Sequence, residues 1–271
     1  MSDLTRDKLK DSIYFDGFLS GANESIALRG NYIEDETTKE TKVKLFRKQT
    51  LEKYLHIAIA LYSMGKGINT VKQQYLAVLT YMAKYECWTP IYTKPTLRDG
   101  SQLNSYIVEE HGTMLRLLAL GVLLKISKAE FSILVNIIDR DKVVDNLYEF
   151  FIKAYFPERK QTQKEIYNLD KSTILKVYQK LRDAILLDSV NSTDEKLEAE
   201  SLVKGFLQKG FYHKHSGFHN DHKYEPVKLY YGYWSFEAAA VTCLMGLDDK
   251  SYRKHKYYPV DLADYYREQS E

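Results

Sequence analysis

The chain has 271 residues, with 39 Lys and Arg against 37 Asp and Glu, a formal net charge of +2. A polypeptide of this length folds to about 12,000 Å² of surface from about 46,000 Å² when unfolded, so a hydrophobic core suffices without covalent or metal staples. Affinity for phosphate backbones grows with the number of basic groups engaged. Neither the first 120 residues nor the remainder carries a marked basic excess, which argues against a direct nucleic-acid binder. Cys87 and Cys243 lie far apart with no CxxC pair, so neither a disulfide framework nor a zinc ribbon is expected.

The first residues, Met1 to Asp7, are polar and lack the basic start and apolar stretch of a signal peptide. The longest apolar runs, such as Leu117–Leu124, are too short to span a bilayer. A cytoplasmic protein with no membrane partner is expected, and the sequons at Asn23 and Asn191 are then chance matches.

The periodic stretches read as helices. Leu9, Ile13, Phe18, Ala22, Ile26 and Ile33 predict one long amphipathic helix over about 3–34. After the polar run 34–40, Phe46, Leu51, Leu55, Ile59 and Tyr62 predict a second over about 41–64, ended by Gly65-Lys66-Gly67. A third, about 70–87 with Asn69 or Thr70 as cap, carries Val71, Tyr75, Val78, Leu79 and Met82. Pro90, Pro95 and Asp99-Gly100 mark 88–100 as a loop. A fourth helix, about 101–124, is apolar enough at its end to be buried on most sides.

Ser127-Lys128-Ala129-Glu130 and Ser192-Thr193-Asp194-Glu195 have the spacing of capping boxes and each opens a helix. Between them, helices over about 141–155 and 172–187 flank a polar connection at 157–169. Residues 210–231 form an irregular aromatic segment. Tyr233–Met245 reads as a core helix stopped by Gly246, and Pro259 fits the first position of a last short helix. No run alternates cleanly enough for a strand. The expected architecture is all-α, two packed helical subdomains at 1–125 and 126–271 with no substantial sheet.

Catalytic signatures are missing: GxxxxGK, GxGxxG, HExxH and GxSxG do not occur. His213, His215, His219 and His222 sit within ten residues and invite a metal reading, hence a metal-dependent hydrolase as one alternative. Gly217 and the aromatic spacing argue against the regular helix that would align them, so ordinary hydrogen-bonded imidazoles are preferred. Cys243, mid-helix between Val241 and Leu244, reads as a buried structural thiol. Glu237 is a carboxylate in an apolar helix: either a base with a raised pKa or a first-turn charge paired with a nearby Arg, Lys or Tyr, the second preferred. No catalytic residue and no cofactor are assigned.

Twenty-three tyrosines are conspicuous, with clusters at 230–233, 257–258 and 265–266. Most are expected to pack between helices, but Tyr also supplies contact area at protein interfaces. Asp183, Asp188, Asp194, Glu195, Glu198 and Glu200 outnumber Arg182 and Lys196 in their stretch. The bland reading is a solvated helix face; the sharper one is a docking patch for a basic partner.

Residues 232–241, Gly-Tyr-Trp-Ser-Phe-Glu-Ala-Ala-Ala-Val, are more specific. With Met245-Gly246-Leu247-Asp248-Asp249 and Tyr257-Tyr258-Pro259-Val260-Asp261-Leu262 they resemble the PoNi-type immunity proteins. The start, Arg6-Asp7-x-Leu9-Lys10-Asp11-x-x-Tyr14-Phe15, resembles the family's N-terminal helical part. The resemblance implies a helical antitoxin, not an enzyme, that neutralises the DNase domain of a PoNe-type polymorphic toxin delivered between neighbouring bacteria. A helical adaptor for some other protein is the remaining alternative. Tyr233, Trp234, Phe236 and Glu237 read as core signature. The expected toxin contacts are the acidic residues 183–200 together with Tyr224, Tyr230 and Tyr231.

Overall fold

The computed structural model describes residues 5–94, 102, 104–159, 173–187, 192–209, 223 and 230–270. Among these the fold is all-α. In chain order the helices are α1 (Ser12–Glu34), α2 (Glu40–Ser63), α3 (Ile68–Tyr85), α4 (Val108–Leu123), α5 (Lys128–Asp141), α6 (Asn146–Lys153), α7 (Thr173–Leu186), α8 (Thr193–Lys209), α9 (Phe236–Leu244) and α10 (Val260–Glu268). The departures are an antiparallel pair of two-residue strands, β1 (Tyr92–Thr93) and β2 (Ser105–Tyr106), with Tyr92 opposite Tyr106, and an isolated parallel bridge between Asn104 and Val143.

The chain divides into two compact units: Met1–Thr89 with Phe218–Gly232, and Pro90–Gly217 with Tyr233–Glu271. The expected cut after residue 125 is therefore not where the chain divides. Residues 90–125 belong to the second unit because α4 packs on α5, α6, α9 and α10.

In the first unit α1 packs on α2 and α2 on α3. The first helix begins at Ser12, not near residue 3, because the residues before it are spent on caps. Asp11 accepts the Tyr14 N–H at 2.9 Å, and the Asp7 carboxylate accepts those of Leu9 and Lys10 at 2.6 and 3.3 Å. Arg6 donates from Nη1 to the carbonyls of Tyr62 and Lys66, both at 2.8 Å, satisfying acceptors where α2 ends. That end turns through Gly65 at φ 85°, with Lys66 N–H on Leu61 O and Gly65 N–H on Tyr62 O. This is the paired bond pattern of a glycine-ended helix.

Tyr230 closes this unit. Its ring stands edge-on to Phe15 at 4.9 Å and to Phe18 at 6.1 Å. Its hydroxyl donates to Asp7 at 2.7 Å and meets the Ser63 hydroxyl at 2.6 Å.

In the second unit α4 is the central helix: from Leu117 to Leu123 every residue is buried. It starts at Val108, later than the periodicity predicts, because Ser105 and Tyr106 pair with β1. The Ser127 capping box forms as read: Glu130 N–H reaches Ser127 Oγ at 3.2 Å and Ser127 N–H reaches the Glu130 carboxylate at 2.6 Å. At Ser192 the box is altered. Glu195 N–H reaches Ser192 Oγ at 3.3 Å, but the Glu195 carboxylate takes the serine hydroxyl at 2.6 Å.

The α9 helix begins at Phe236, three residues later than its apolar run suggests, since Ser235 N–H is bonded to Tyr257 O at 2.7 Å. It ends as predicted at Gly246, φ 61°, with Leu247 N–H on Thr242 O and Leu247 buried.

Candidate functional site

The α7 and α8 helices pack against each other and carry most of the acidic residues singled out above. What fixes α7 is a buried ionic group on its inner side. Arg182 is 1% exposed. Its Nη1 and Nη2 donate to the two carboxylate oxygens of Asp145 at 3.1 and 2.7 Å, and Nη1 also to Asn146 Oδ1 at 2.6 Å. This is the fork-to-carboxylate geometry in which arginine outperforms lysine.

Asp145 has two further duties. It accepts the N–H groups of Leu147 and Tyr148 at 2.9 and 3.1 Å as the N-cap of α6. It also lies 2.8 Å from His111 Nε2 on α4. The His111 ring stacks on Tyr148 at 4.8 Å, and the Tyr148 hydroxyl donates to His111 O at 2.8 Å.

Burial alone would raise the Asp145 pKa, but Arg182 and His111 outweigh it and hold the carboxyl far below the usual carboxylate range. Burial pushes His111 down and so favours the neutral ring. That imidazole donates Nε2–H to Asp145. The group is a fold-setting lock between α4, α6 and α7: each member is occupied by another side chain, and none faces solvent.

With Arg182 turned inward, its neighbour Asp183 turns outward. Asp183 is half-buried and accepts from Gln179 Nε2 at 2.7 Å. On α8, Gly205 lets the Lys180 side chain cross closely: a Cβ there would lie 2.6 Å from Lys180 Nζ. The outer side of α8 presents Leu197, 57% exposed, between the exposed carboxylates of Asp194 and Glu198. Asp194 neighbours Leu197 and Glu198 at three- and four-residue spacing, while Leu197 and Glu198, adjacent in sequence, stand about 100° apart on that side. Among the described residues neither carboxylate has a hydrogen-bond or ion-pair partner.

The other acidic candidates have internal duties. The Glu195 carboxylate accepts from the Ser192 hydroxyl that caps α8, and Glu200 accepts the Asp248 N–H at 2.9 Å. Asp188 and Tyr224 lie outside the described residues. Tyr230 is 2% exposed, and Tyr231 is half-buried with its ring 4.3 Å from His56. Tyr230 thus serves the interior of the first unit.

The signature segment is core. Tyr233, Trp234, Phe236 and Glu237 are all buried. The Tyr233 ring meets Trp234 at 5.3 Å and Tyr257 at 5.8 Å. Asp249, from the next signature segment, accepts from Arg267 Nη1 at 2.8 Å, Arg253 Nη1 at 3.2 Å and the Tyr258 hydroxyl at 3.1 Å. Arg253 also binds Asp264.

Burial pushes the Glu237 carboxyl up to about 7, opposed by its own N–H, the charge of Arg116 and Ser235. Glu237 does sit in the first turn of α9, but its raised pKa is not that of a paired charge: the Arg116 charge on α4 offsets burial only in part. Burial likewise pushes the Cys243 thiol up to about 12. It stays protonated at neutral pH, which removes the thiolate a nucleophile needs.

Among the described residues no group of three or more His, Cys, Asp or Glu is placed to hold a metal ion, and no helix is long and apolar enough to cross a membrane. His213, His215, His219 and His222 lie outside those residues.

Arg182, His111 and Asp145 were not singled out by the sequence reading. The available signal was a charge in an apolar register: Tyr178, Arg182 and Ile185 recur at helical spacing.

Two family models match the chain. "PoNe immunity protein (PoNi), N-terminal" covers residues 6–136 and "PoNe immunity proteins (PoNi), C-terminal" covers 143–262. The crystal structure of protein PA2201 from Pseudomonas aeruginosa is similar in fold, with a TM-score of 0.62 and 16% identity over 100% of this chain and 93% of that one. No curated protein matches the sequence. With both halves matched, the chain belongs to the PoNe immunity protein family: it is an immunity protein for a cognate toxin, not an enzyme.

Proposed function

We propose that this protein acts in the cytoplasm by binding directly to the nuclease domain of a cognate PoNe-type DNase toxin, and that the outer side of α8 is the contact face. The observation that carries the assignment is Leu197, exposed and flanked by Asp194 and Glu198. An apolar anchor with a charged rim is the usual anatomy of a specific interface. Nuclease domains present basic groups to DNA, so carboxylates without partners complement them and speed encounter. Asp183, on the solvent side of α7, is a further acidic contact in this proposal. A net charge of +2 argues against wholesale imitation of DNA, so recognition rests on this local patch.

The fold suits the task. A rigid inhibitor loses little freedom on binding, and the Arg182–Asp145–His111 lock holds the helix behind the face.

The test is co-expression with the toxin domain encoded beside this gene. Wild-type protein is expected to restore growth and intact chromosomal DNA. The Leu197→Glu variant, soluble and helical, is expected to restore neither. Full protection by that variant would remove the α8 face; no protection by wild-type protein would remove the functional reading itself.

A further inference from the structure

The far half of the α1–α2 hairpin has no core of its own. From Asn23 to Gln49 not one residue is buried. Leu28 is 58%, Tyr32 39% and Leu45 51% exposed. Helices in proteins draw most of their stability from burying an apolar side, and here, among the described residues, Ile26, Ile33, Val43 and Phe46 are no more than half-buried. The two helices are tied to each other thinly. Tyr32 and Phe46 rings lie 5.4 Å apart with Lys42 Nζ over both, and Arg29 Nε donates to Gln49 at 3.2 Å.

The exposed side has a defined shape and a defined charge. Gly21, Glu24, Leu28 and Tyr32 form one stripe at helical spacing on α1. Among the described residues a side chain at Gly21 would meet nothing within 4 Å, although glycine in a helix costs about 1 kcal/mol relative to alanine. Charge is segregated between the helices. Residues 23–36 carry Glu24, Glu34, Asp35 and Glu36 against Arg29, while residues 39–48 carry Lys39, Lys42, Lys44, Arg47 and Lys48 against Glu40.

We infer that this half-hairpin is a self-association surface whose occupant is the same surface of a second copy. A two-fold axis running between the hairpins and parallel to their helices lays α1 of one copy over α2 of the other, antiparallel. The acidic segment 23–36, which is the end of α1 and the turn after it, then faces the basic segment 39–48 twice over, as an isologous contact requires. Leu28, Tyr32 and Leu45 of both copies meet in the centre and complete a four-helix arrangement. Gly21 lets the partner helix approach.

The test is sedimentation equilibrium of the full chain over a concentration series, alone and with the toxin domain. Wild-type protein is expected to approach twice its 31.7 kDa chain mass. Leu28→Glu/Leu45→Glu is expected to sediment as a monomer with unchanged far-ultraviolet circular dichroism, both sites being exposed. Lys42→Glu/Lys48→Glu is expected to weaken the dimer, and adding Glu34→Lys/Glu24→Lys, at the facing levels, to restore it. A wild-type monomer at every concentration overturns the inference, as does a dimer indifferent to Leu28 and Leu45. A monomer whose hairpin variants lose the toxin instead overturns it in favour of the toxin as occupant.

Discussion

Arg182 of α7 grips Asp145 of α6 with both terminal nitrogens, at 3.1 and 2.7 Å, in a site where both side chains are buried. Removing one partner leaves the other charge stranded in the interior, which typically costs about 3–5 kcal/mol. Arg182→Met and Asp145→Asn are each expected to lower the urea unfolding midpoint by that order. Arg182→Lys is expected to recover only part of the loss, because an ammonium cannot hold both oxygens at once. Equal stability of wild type and Arg182→Met would show that the lock carries no load.

The pH dependence follows from two groups of opposite sign. Asp145 has a folded pKa well below its unfolded value, so its contribution is present above the unfolded value and is lost as pH falls through the acid range. Glu237 has the opposite shift, from 4.5 up to about 7, so the native state holds a proton that the unfolded chain releases. The Glu237 contribution therefore falls as pH rises between those values, by roughly 3 kcal/mol at most for a shift of that size, while His111, whose pKa burial lowers, contributes in the opposite sense. Glu237→Gln is expected to abolish that fall, so that its stability relative to wild type grows from pH 5 to pH 8. A constant difference across that range in urea titrations would contradict the assignment.

Tyr230 offers a separation of roles. Tyr230→Phe removes the hydroxyl that serves Asp7 and leaves a buried carboxylate short of a donor, at a cost of about 1–3 kcal/mol. The folded variant is expected to bind toxin with unchanged affinity by calorimetry, since the side chain is interior. A large loss of affinity at unchanged stability would return Tyr230 to the interface.

The exposed carboxylates have a kinetic signature. Asp194→Lys/Glu198→Lys is expected to slow association with the toxin domain several-fold and to flatten its dependence on salt, with a smaller effect on dissociation. Surface plasmon resonance at two ionic strengths reads both. An unchanged association rate would remove the patch.

Much of the fold was legible from local rules. The stops at Gly65 and Gly246 and the Ser127 capping box depend on one or two residues and their neighbours, and all three form as read. The starts of α1, α4 and α9 were misplaced for a common reason. Residues with helical periodicity were diverted to other bonds: Asp7 and Asp11 to local caps, with Asp7 also held by Tyr230, Ser105 and Tyr106 to β1, and Ser235 to Tyr257. Periodicity alone cannot see such partners.

The candidate site was legible in composition but not in geometry. The acidic stretch was evident, yet only the structure separates Asp194 and Glu198, which face outward, from Glu195 and Glu200, which hold backbone and caps. Arg182 was counted as one more surface charge, although its place between Tyr178 and Ile185 marks the apolar side of α7.

The central claim is direct neutralisation of a nuclease by this protein. Its most direct test is a titration of purified cognate toxin domain, degrading plasmid DNA, with purified immunity protein and with its Leu197→Glu variant. The account predicts that degradation stops at a stoichiometric amount of wild-type protein and continues with the variant. Degradation that proceeds unchanged in excess wild-type protein would contradict it.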